Sequence, residues 1–257
     1  MQQNFLLWFT PLIPIAILAV LERIKFNKKL YTNNRDRVIL SIEILSIPAS
    51  LIIALFVMYP LVNLLAPLQL ISVAGLQMPR ILNIALSFLL LDLAYYWIHR
   101  LHHLVPYLWR LHRLHHADEE VDALTTVLHH PFEIISGFVI LTTIFVVFDI
   151  PVIVITYYSM IFIVHSAITH TRLLMPVQID RLVRLIIVTP NMHRKHHAKD
   201  KTLGNTNFGQ LFSFWDRLFG TYSAESTYYG NEHPFGINAN EGLNVFSLKQ
   251  ACLNPFK

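Results

Sequence analysis

The charged residues of this chain leave a long gap in its first third. No aspartate, glutamate, lysine or arginine occurs between Glu43 and Arg80, and residues 5–21 (FLLWFTPLIPIAILAVL) are equally free of them. A helix needs about 20 consecutive apolar residues to cross the hydrocarbon core of a bilayer. Both runs approach or exceed that length, so the sequence predicts helices that lie in a membrane.

Composition agrees with a membrane setting. Hydrophobic residues make up 54% of the 257 residues and charged residues only 14%, whereas an ordinary soluble domain carries about 25% charged residues. Further candidate spans lie at 81–99 and within 132–169, a stretch that is broken at DIP (149–151). The sequence therefore predicts an all-α integral membrane helical bundle of four or five spans.

Basic residues predict how this bundle is oriented. The loop at 22–37 carries six lysines and arginines, and short loops rich in these residues stay cytoplasmic. Counting spans onward from this loop places a histidine-rich helical cap on the cytoplasmic side. The pI of about 9.2 would also suit a nucleic-acid binder, but the basic residues follow the topology, so we expect no nucleic-acid partner. We expect residues 5–21 to stay as an anchor, because they lack the basic start and the small-residue cleavage site of a signal peptide.

The fourteen histidines all lie after residue 98 and fall into boxes. Three boxes have related spacing: HRLHH (99–103), HRLHH (112–116) and HRKHH (193–197). Side chains three and four residues apart share one face of a helix, so each box offers two or three nitrogen donors. The donors are His99, His103, His112, His115, His116, His193, His196 and His197.

Eight imidazoles from three segments exceed the four ligands of a structural zinc site, and the number suits two ions. A solvated polar helix face is the alternative interpretation of this spacing. Imidazole binds zinc, copper, iron and nickel alike, so the spacing does not name the metal. Cys252 is the one cysteine, and the sequence has no GxGxxG or CxxCH motif. We therefore expect no flavin, haem or iron–sulfur group in this chain.

Four segments carry a resemblance to a known family: DLAYYWIHRLHH, LWRLHRLHHADEEVDALTTVLHHPFE, TPNMHRKHHAKD and NTNFGQLFSFWDRLFGTY. Together they resemble the fatty acid hydroxylase and sterol desaturase superfamily over roughly Asp92 to Tyr222. The resemblance implies an oxidoreductase of the membrane that uses O2 to hydroxylate or desaturate a C–H bond of a lipid. It implies two iron ions as cofactor, with zinc as an inactive substitute, and an external electron donor of the cytochrome or ferredoxin type.

The resemblance also implies roles for individual residues. It implies that the eight histidines of the three boxes bind the metal, and that His130 and His170 do so as well. Glu133 and Asp92 are expected as acceptors that orient ligand imidazoles. Where the family has an asparagine two residues after its fourth histidine position, this chain has Arg172, which leaves His165 as an alternative to His170.

The sequence thus predicts three regions: membrane anchor spans (1–80), a catalytic region (81–222) and a cytoplasmic tail (223–257).

Two rival functions are also compatible with histidine boxes in a membrane protein. A membrane zinc hydrolase would need an open metal position and a general base, yet the HExxH motif is absent. A histidine-rich metal transporter would place its ligands within the lipid, whereas these boxes mostly follow the ends of spans.

Overall fold

A computed structural model describes residues 12–27, 34–224, 234–238, 243, 247–253 and 256. Within them the chain is helical, and its β-structure is limited to isolated bridges between Ile187 and Phe212 and between Ala198 and Phe235. The α-helices are, in chain order, α1 (Leu12–Lys25), α2 (Asn34–Ile53), α3 (Tyr59–Leu65), α4 (Arg80–Leu104), α5 (Pro106–His116), α6 (Pro131–Val147), α7 (Val152–His170), α8 (Val177–Val183), α9 (Pro190–His196), α10 (Lys201–Gly204), α11 (Phe214–Leu218) and α12 (Leu248–Leu253). The all-α prediction is confirmed for these residues.

Three helical segments of the described chain are long and apolar enough to cross a bilayer. The first runs without a break from α2 through a π-helical turn (Ala54–Met58), α3 and a 3-10 turn (Ala66–Leu68), and the others are α4 and α7. Helix α6 is shorter, at 17 residues. Part of the expected first span (5–21), residues 5–11, lies outside the described residues. The count of four or five spans therefore stays a prediction.

These helices expose large apolar side chains over much of their length. On the first segment Leu51 is 62% exposed, Phe56 73% and Leu64 71%. A helix that is apolar on all sides is typical of a membrane span, and in water such a surface would cause aggregation. The exposed faces therefore suit contact with lipid chains.

The chain alternates between two ends of the bundle. At one end the backbone N–H of Leu70 donates to Val147 O and that of Val73 donates to Phe148 O, each at 3.0 Å. At the other end the Arg35 side chain bonds Asp118, 83 residues further along the chain. We call this second end the histidine end, because α5, α9 and the last turn of α4 all meet there. The described parts of the loop at 22–37, residues 22–27 and 34–37, and all three histidine boxes thus share one end, as the sequence predicts.

Prolines set the sharp turn between α4 and α5. Val105, which precedes Pro106, is extended (φ −93°, ψ 116°) and Pro106 occupies the first turn of α5. A residue before proline disfavours the helical conformation, while proline itself is tolerated at a helix start. The break is a single residue long, so α5 folds back and brings His116 beside His103.

Candidate metal centre

The first group of imidazoles, cluster one, joins all three boxes. Potential ligand atoms of its five members all lie within 4.8 Å of one another. Nε2 of His116 lies 3.1 Å from Nε2 of His103 and 3.2 Å from Nε2 of His112. The members of cluster one are His99, His103, His112, His116 and His196.

The second group, cluster two, is built around the last residue of α7. Nε2 of His170 lies 3.0 Å from Nε2 of His193 and 3.1 Å from Nε2 of both His115 and His197. These four histidines, all buried, are the members of cluster two. The clusters adjoin, since the rings of His116 and His197 stack at 4.5 Å between centroids.

The nitrogen spacing fits metal ligation better than hydrogen bonding. One imidazole nitrogen carries at most one hydrogen, so Nε2 of His170 cannot be satisfied by three neighbouring nitrogens at once. With metal–nitrogen bonds of about 2.0–2.1 Å, ligands at right-angled to tetrahedral positions are about 3.0–3.4 Å apart. The observed separations of 3.0–3.3 Å fall in that interval. The residues therefore fit two metal ions, one in each cluster.

Hydrogen-bond acceptors on the outer side of the imidazole rings determine which ring nitrogen faces each cluster. Nδ1 of His99 lies 2.9 Å from the Phe208 carbonyl oxygen, Nδ1 of His196 lies 2.9 Å from that of Thr206, and Nδ1 of His170 lies 2.7 Å from that of Ser166. A carbonyl only accepts, so Nδ1 carries the hydrogen and Nε2 keeps its lone pair for a metal. Such outer acceptors are the usual partners of metal-bound histidine.

Glu133 supplies a carboxylate acceptor of the same kind. Its Oε1 lies 2.7 Å from Nδ1 of His112 and 3.0 Å from Nδ1 of His129. His129 is a residue that sequence reasoning left aside, and these three side chains form a smaller group of potential ligands. The only sequence clue to His129 was its position before His130 and Glu133 in HHPFE.

The surroundings of the histidines in the boxes keep their imidazoles neutral. Burial is the largest cause that lowers the pKa of His116 and His197 well below the ordinary value, and neighbouring imidazoles lower it further. Burial also lowers the pKa of His196 to about 3. Neutral imidazole is the form that binds metal, so no proton has to leave these rings at neutral pH.

A cavity of about 350 Å³ opens onto both clusters. Helices α4, α6 and α7 form its walls. Its polar end is lined by His99, His112, His115, His170, His193 and Glu133, and its apolar walls include Tyr95, Ile98, Ile134, Phe138, Leu141, Phe162 and Ile163. An alkyl chain lying in this cavity would therefore end beside the imidazoles.

Comparison with known proteins decides the family. The model of the family described as fatty acid hydroxylase matches residues 84–221, more than half of the chain. The chain belongs to the fatty acid hydroxylase family. The three apolar helices and this membership together make it a membrane protein. No solved structure matches the chain significantly.

Curated relatives of this fatty acid hydroxylase family member carry lipid names. The chain is 29% identical to alkylglycerol monooxygenase of Homo sapiens over 163 residues, which is 62% of this chain and 35% of the relative. It is 34% identical to the Xenopus tropicalis protein of the same name over 164 residues, with 62% and 35% covered. Ornithine lipid hydroxylase OlsE of Rhizobium tropici is 50% identical over 38 residues, or 15% and 12%. The chain spans about a third of the length of the alkylglycerol monooxygenases that it matches.

Nine of the ten expected metal ligands lie in the two clusters, and His130 does not. Its Nδ1 accepts the backbone N–H of Phe132 at 3.2 Å, which caps α6, and its Nε2 lies 3.1 Å from the Cys252 carbonyl oxygen. Both ring nitrogens are thus engaged away from the clusters.

We expected Asp92 to orient an imidazole, but its carboxylate contacts other groups. Its carboxylate accepts the Tyr158 hydroxyl at 2.6 Å, the Trp215 indole N–H at 2.8 Å and the backbone N–H groups of Leu211 and Phe212 at 3.1 Å each. The side chain therefore fastens residues 211–215 to α4. It supports His99 only indirectly, because Phe208, which accepts from His99, belongs to the same segment.

The position of Arg172 explains how a cation can follow His170. The Arg172 guanidinium donates to the Glu120 carbonyl oxygen at 2.9 Å and lies 3.5 Å from the Glu120 carboxylate. The side chain is thus held by Glu120. His165, the alternative to His170, places its Nε2 3.0 Å from the Val188 carbonyl oxygen and belongs to neither cluster.

Proposed function

We propose that the protein is a membrane-bound, metal-dependent oxygenase that hydroxylates a C–H bond in the alkyl chain of a lipid. The observation that carries this proposal is the convergence of nine imidazoles on two adjacent centres at the end of an apolar cavity. The printed names of the relatives, a monooxygenase and a hydroxylase of lipids, support hydroxylation over desaturation.

We further propose iron as the metal, with one ion held by cluster one and one by cluster two. A pair of bound iron ions supplies the activation of O2. Zinc has no redox chemistry, so it would occupy the same imidazoles without activity. Affinity alone does not favour ferrous iron over zinc at such sites, so a zinc-loaded preparation is an expected inactive form.

The chain's own residues hold and orient the reactants. The apolar walls formed by Ile98, Ile134 and Phe162 exclude water and position an alkyl chain against the histidines. In the overall reaction a C–H bond of the lipid breaks and a C–O bond forms with one atom of O2. The hydrogen of that bond ends on the new hydroxyl group. The other oxygen atom leaves as water with two protons from solvent, and an electron donor outside this chain supplies the electron pair that this requires.

The finer assignments remain parts of this proposal. Residues 81–222 form the catalytic region, 1–80 the anchor and 223–257 a tail. The histidine end faces the cytoplasm, where a cytochrome or ferredoxin type of protein delivers electrons. Glu133 orients His112 as a ligand, and Asp92 acts on the site through the segment that carries Phe208.

The composition of the two clusters makes a zinc hydrolase less favoured, because a hydrolase needs a carboxylate that takes a proton from water at an open metal position. Glu133, whose Oε1 bonds His112 and His129, belongs to neither cluster. Clusters one and two contain no carboxylate among the residues described. A metal transporter is also less favoured, because both clusters gather at one end of the bundle.

An isotope experiment tests the proposal. Iron-loaded protein in lipid nanodiscs, supplied with a chemical reductant and a small redox carrier, should consume O2 and transfer heavy oxygen from isotopically labelled O2 into a lipid. Zinc-loaded protein should do neither. Transfer of oxygen from labelled water, or lipid turnover by the zinc form, would favour hydrolysis and contradict the proposal.

A further inference from the structure

A glycine interrupts the wall that α6 contributes to the cavity. Gly137 lines the cavity together with Ile134, Phe138 and Leu141, which are three residues before it, one after it and four after it on the same helix. A Cβ atom added at Gly137 would meet no heavy atom within 4 Å. The position therefore has open space beside it, and it lies on the helix face that lines the cavity.

The backbone gives no reason for this glycine. The glycines with positive φ in the described residues are Gly220 and Gly236, so Gly137 has a conformation open to any residue. A glycine inside a helix costs about 0.8–1.0 kcal/mol relative to alanine. Since neither a turn nor a close approach requires it, the missing side chain has one structural consequence, which is room in the cavity.

Packed aromatic side chains limit the cavity at the end away from the histidines. The Tyr95 and Phe162 rings, which line the cavity, stack at 4.4 Å between centroids. One helical turn beyond Leu141, Ile144 and Phe145 pack with Tyr158 in a hydrophobic cluster. At about 1.5 Å of rise per residue, Gly137 lies about 6 Å and Leu141 about 12 Å along α6 from Glu133.

We propose that Gly137 determines how long an alkyl chain the lipid substrate can place beyond the carbon that is oxidised. This inference rests on the proposed function. The substrate class is a lipid with an alkyl chain, whose oxidised carbon lies at the histidines while the rest of the chain passes Gly137 towards Leu141. A larger side chain at Gly137 would fill that path, and a smaller one at Leu141 would extend it.

A competition assay tests the proposal with a mixture of saturated 1-O-alkylglycerols of graded chain length. Gly137→Phe should lower the ratio of long-chain to short-chain product at least about tenfold, since one methylene in an apolar pocket is worth about 10-fold or more in rate. Leu141→Ala should raise the same ratio, and Gly137→Ala should change it little. The matched control is Val139→Phe, which enlarges a side chain of α6 that is not among the cavity-lining residues.

A second measurement does not depend on turnover. An alkyl probe with a photoreactive diazirine at its chain end should cross-link purified wild-type protein at Phe138, Leu141 or Phe162, which line the cavity. Gly137→Phe should abolish this cross-link, while Val139→Phe should keep it. If the wild type cross-links in this way but oxidises no lipid, the proposed function fails, while the finding that an alkyl chain passes Gly137 stands by itself.

The opposite results overturn the inference. A Gly137→Phe protein with normal metal content that keeps both the wild-type product ratio and the cross-link would show that no chain passes this residue. If Gly137→Phe does not fold, the decision falls to Leu141→Ala, and an unchanged product ratio in that variant would contradict the proposal.

Discussion

Glu133 places a carboxylate next to the two clusters, although it belongs to neither of them. It is buried, and its Oε1 accepts from Nδ1 of both His112 and His129. Fixing Nδ1–H of His112 leaves Nε2 of the same ring to face His116. A residue of this kind tunes a ligand rather than serving as one.

Replacing Glu133 should therefore weaken metal binding without abolishing it. Loss of such an outer partner lowers metal affinity by about 10–100-fold, and we expect Glu133→Gln to do so because an amide oxygen is a weaker acceptor than a carboxylate. Competition with a chelator measures the change. The control is Glu120→Gln, because the Glu120 carboxylate pairs with Arg172. Equal metal affinity in the two variants would contradict the role of Glu133.

At this scale the sequence predicted the members of the two clusters better than the groups that support them. Helical spacing and the family resemblance together gave every member of clusters one and two, because a ligand needs a particular side chain. The acceptors of His99 and His196 are the backbone carbonyls of Phe208 and Thr206, which any residue type provides, so no pattern could reveal them. His130 was included by resemblance, and only its contacts with Phe132 and Cys252 separate it from the clusters.

Among the elements, the start of α2 is tied to the second histidine box by buried charges. The Arg35 guanidinium lies 2.7 Å from Oδ1 of Asp118 and 3.0 Å from Oδ1 of Asp122. Burial alone would raise the pKa of Asp118, but Arg35 holds it below the usual range. Asp118 lies two residues after His116, so these ion pairs fix the end of α5.

Removing Arg35 should destabilise the protein strongly. Breaking a buried ion pair from one side costs about 3–5 kcal/mol, because the remaining carboxylates stay buried without a partner. We expect Arg35→Ala to lower the melting temperature in detergent and to weaken metal retention. Arg37→Ala is the matched control, since Arg37 is exposed, and similar melting temperatures for the two variants would show that the pairs contribute little.

The ion pairs of the basic loop could not be predicted from the sequence. Its arginines predicted orientation, yet Arg23 and Arg35 are buried and paired with Asp36 and Asp118. The acidic partners stand at residue 36 and around residue 120, and their pairing depends on packing that no local pattern encodes. Arg194 likewise is buried and donates to the Val121 and His170 carbonyl oxygens, partners that its position in the third box does not reveal.

In the whole molecule, hydropathy was sufficient to predict the helical bundle, and the alternation of spans was sufficient to bring the boxes to one end. The cavity between α4, α6 and α7 could not be predicted, because it depends on how three apolar faces fail to fill the space between them.

Orientation in the membrane can be tested with two single cysteines in a Cys252→Ser background. Glu119 is exposed at the histidine end and Gln77 is exposed at the opposite end. Because the basic loop should remain cytoplasmic, a membrane-impermeant thiol reagent added to intact cells should label Gln77→Cys and not Glu119→Cys. Both should react after lysis, and the reverse pattern in intact cells would place the histidine end outside.

Metal content per chain tests the central claim most directly, which is that clusters one and two each hold an ion. Elemental analysis of protein purified with iron should find about two ions per chain in the wild type, as two imidazole sets of this size imply. His116→Ala and His170→Ala, one from each cluster, should each retain fewer, while His130→Asn, which keeps a helix cap, should retain both. A wild type that binds a single ion, or a His116→Ala protein with undiminished metal, would contradict the two-cluster account.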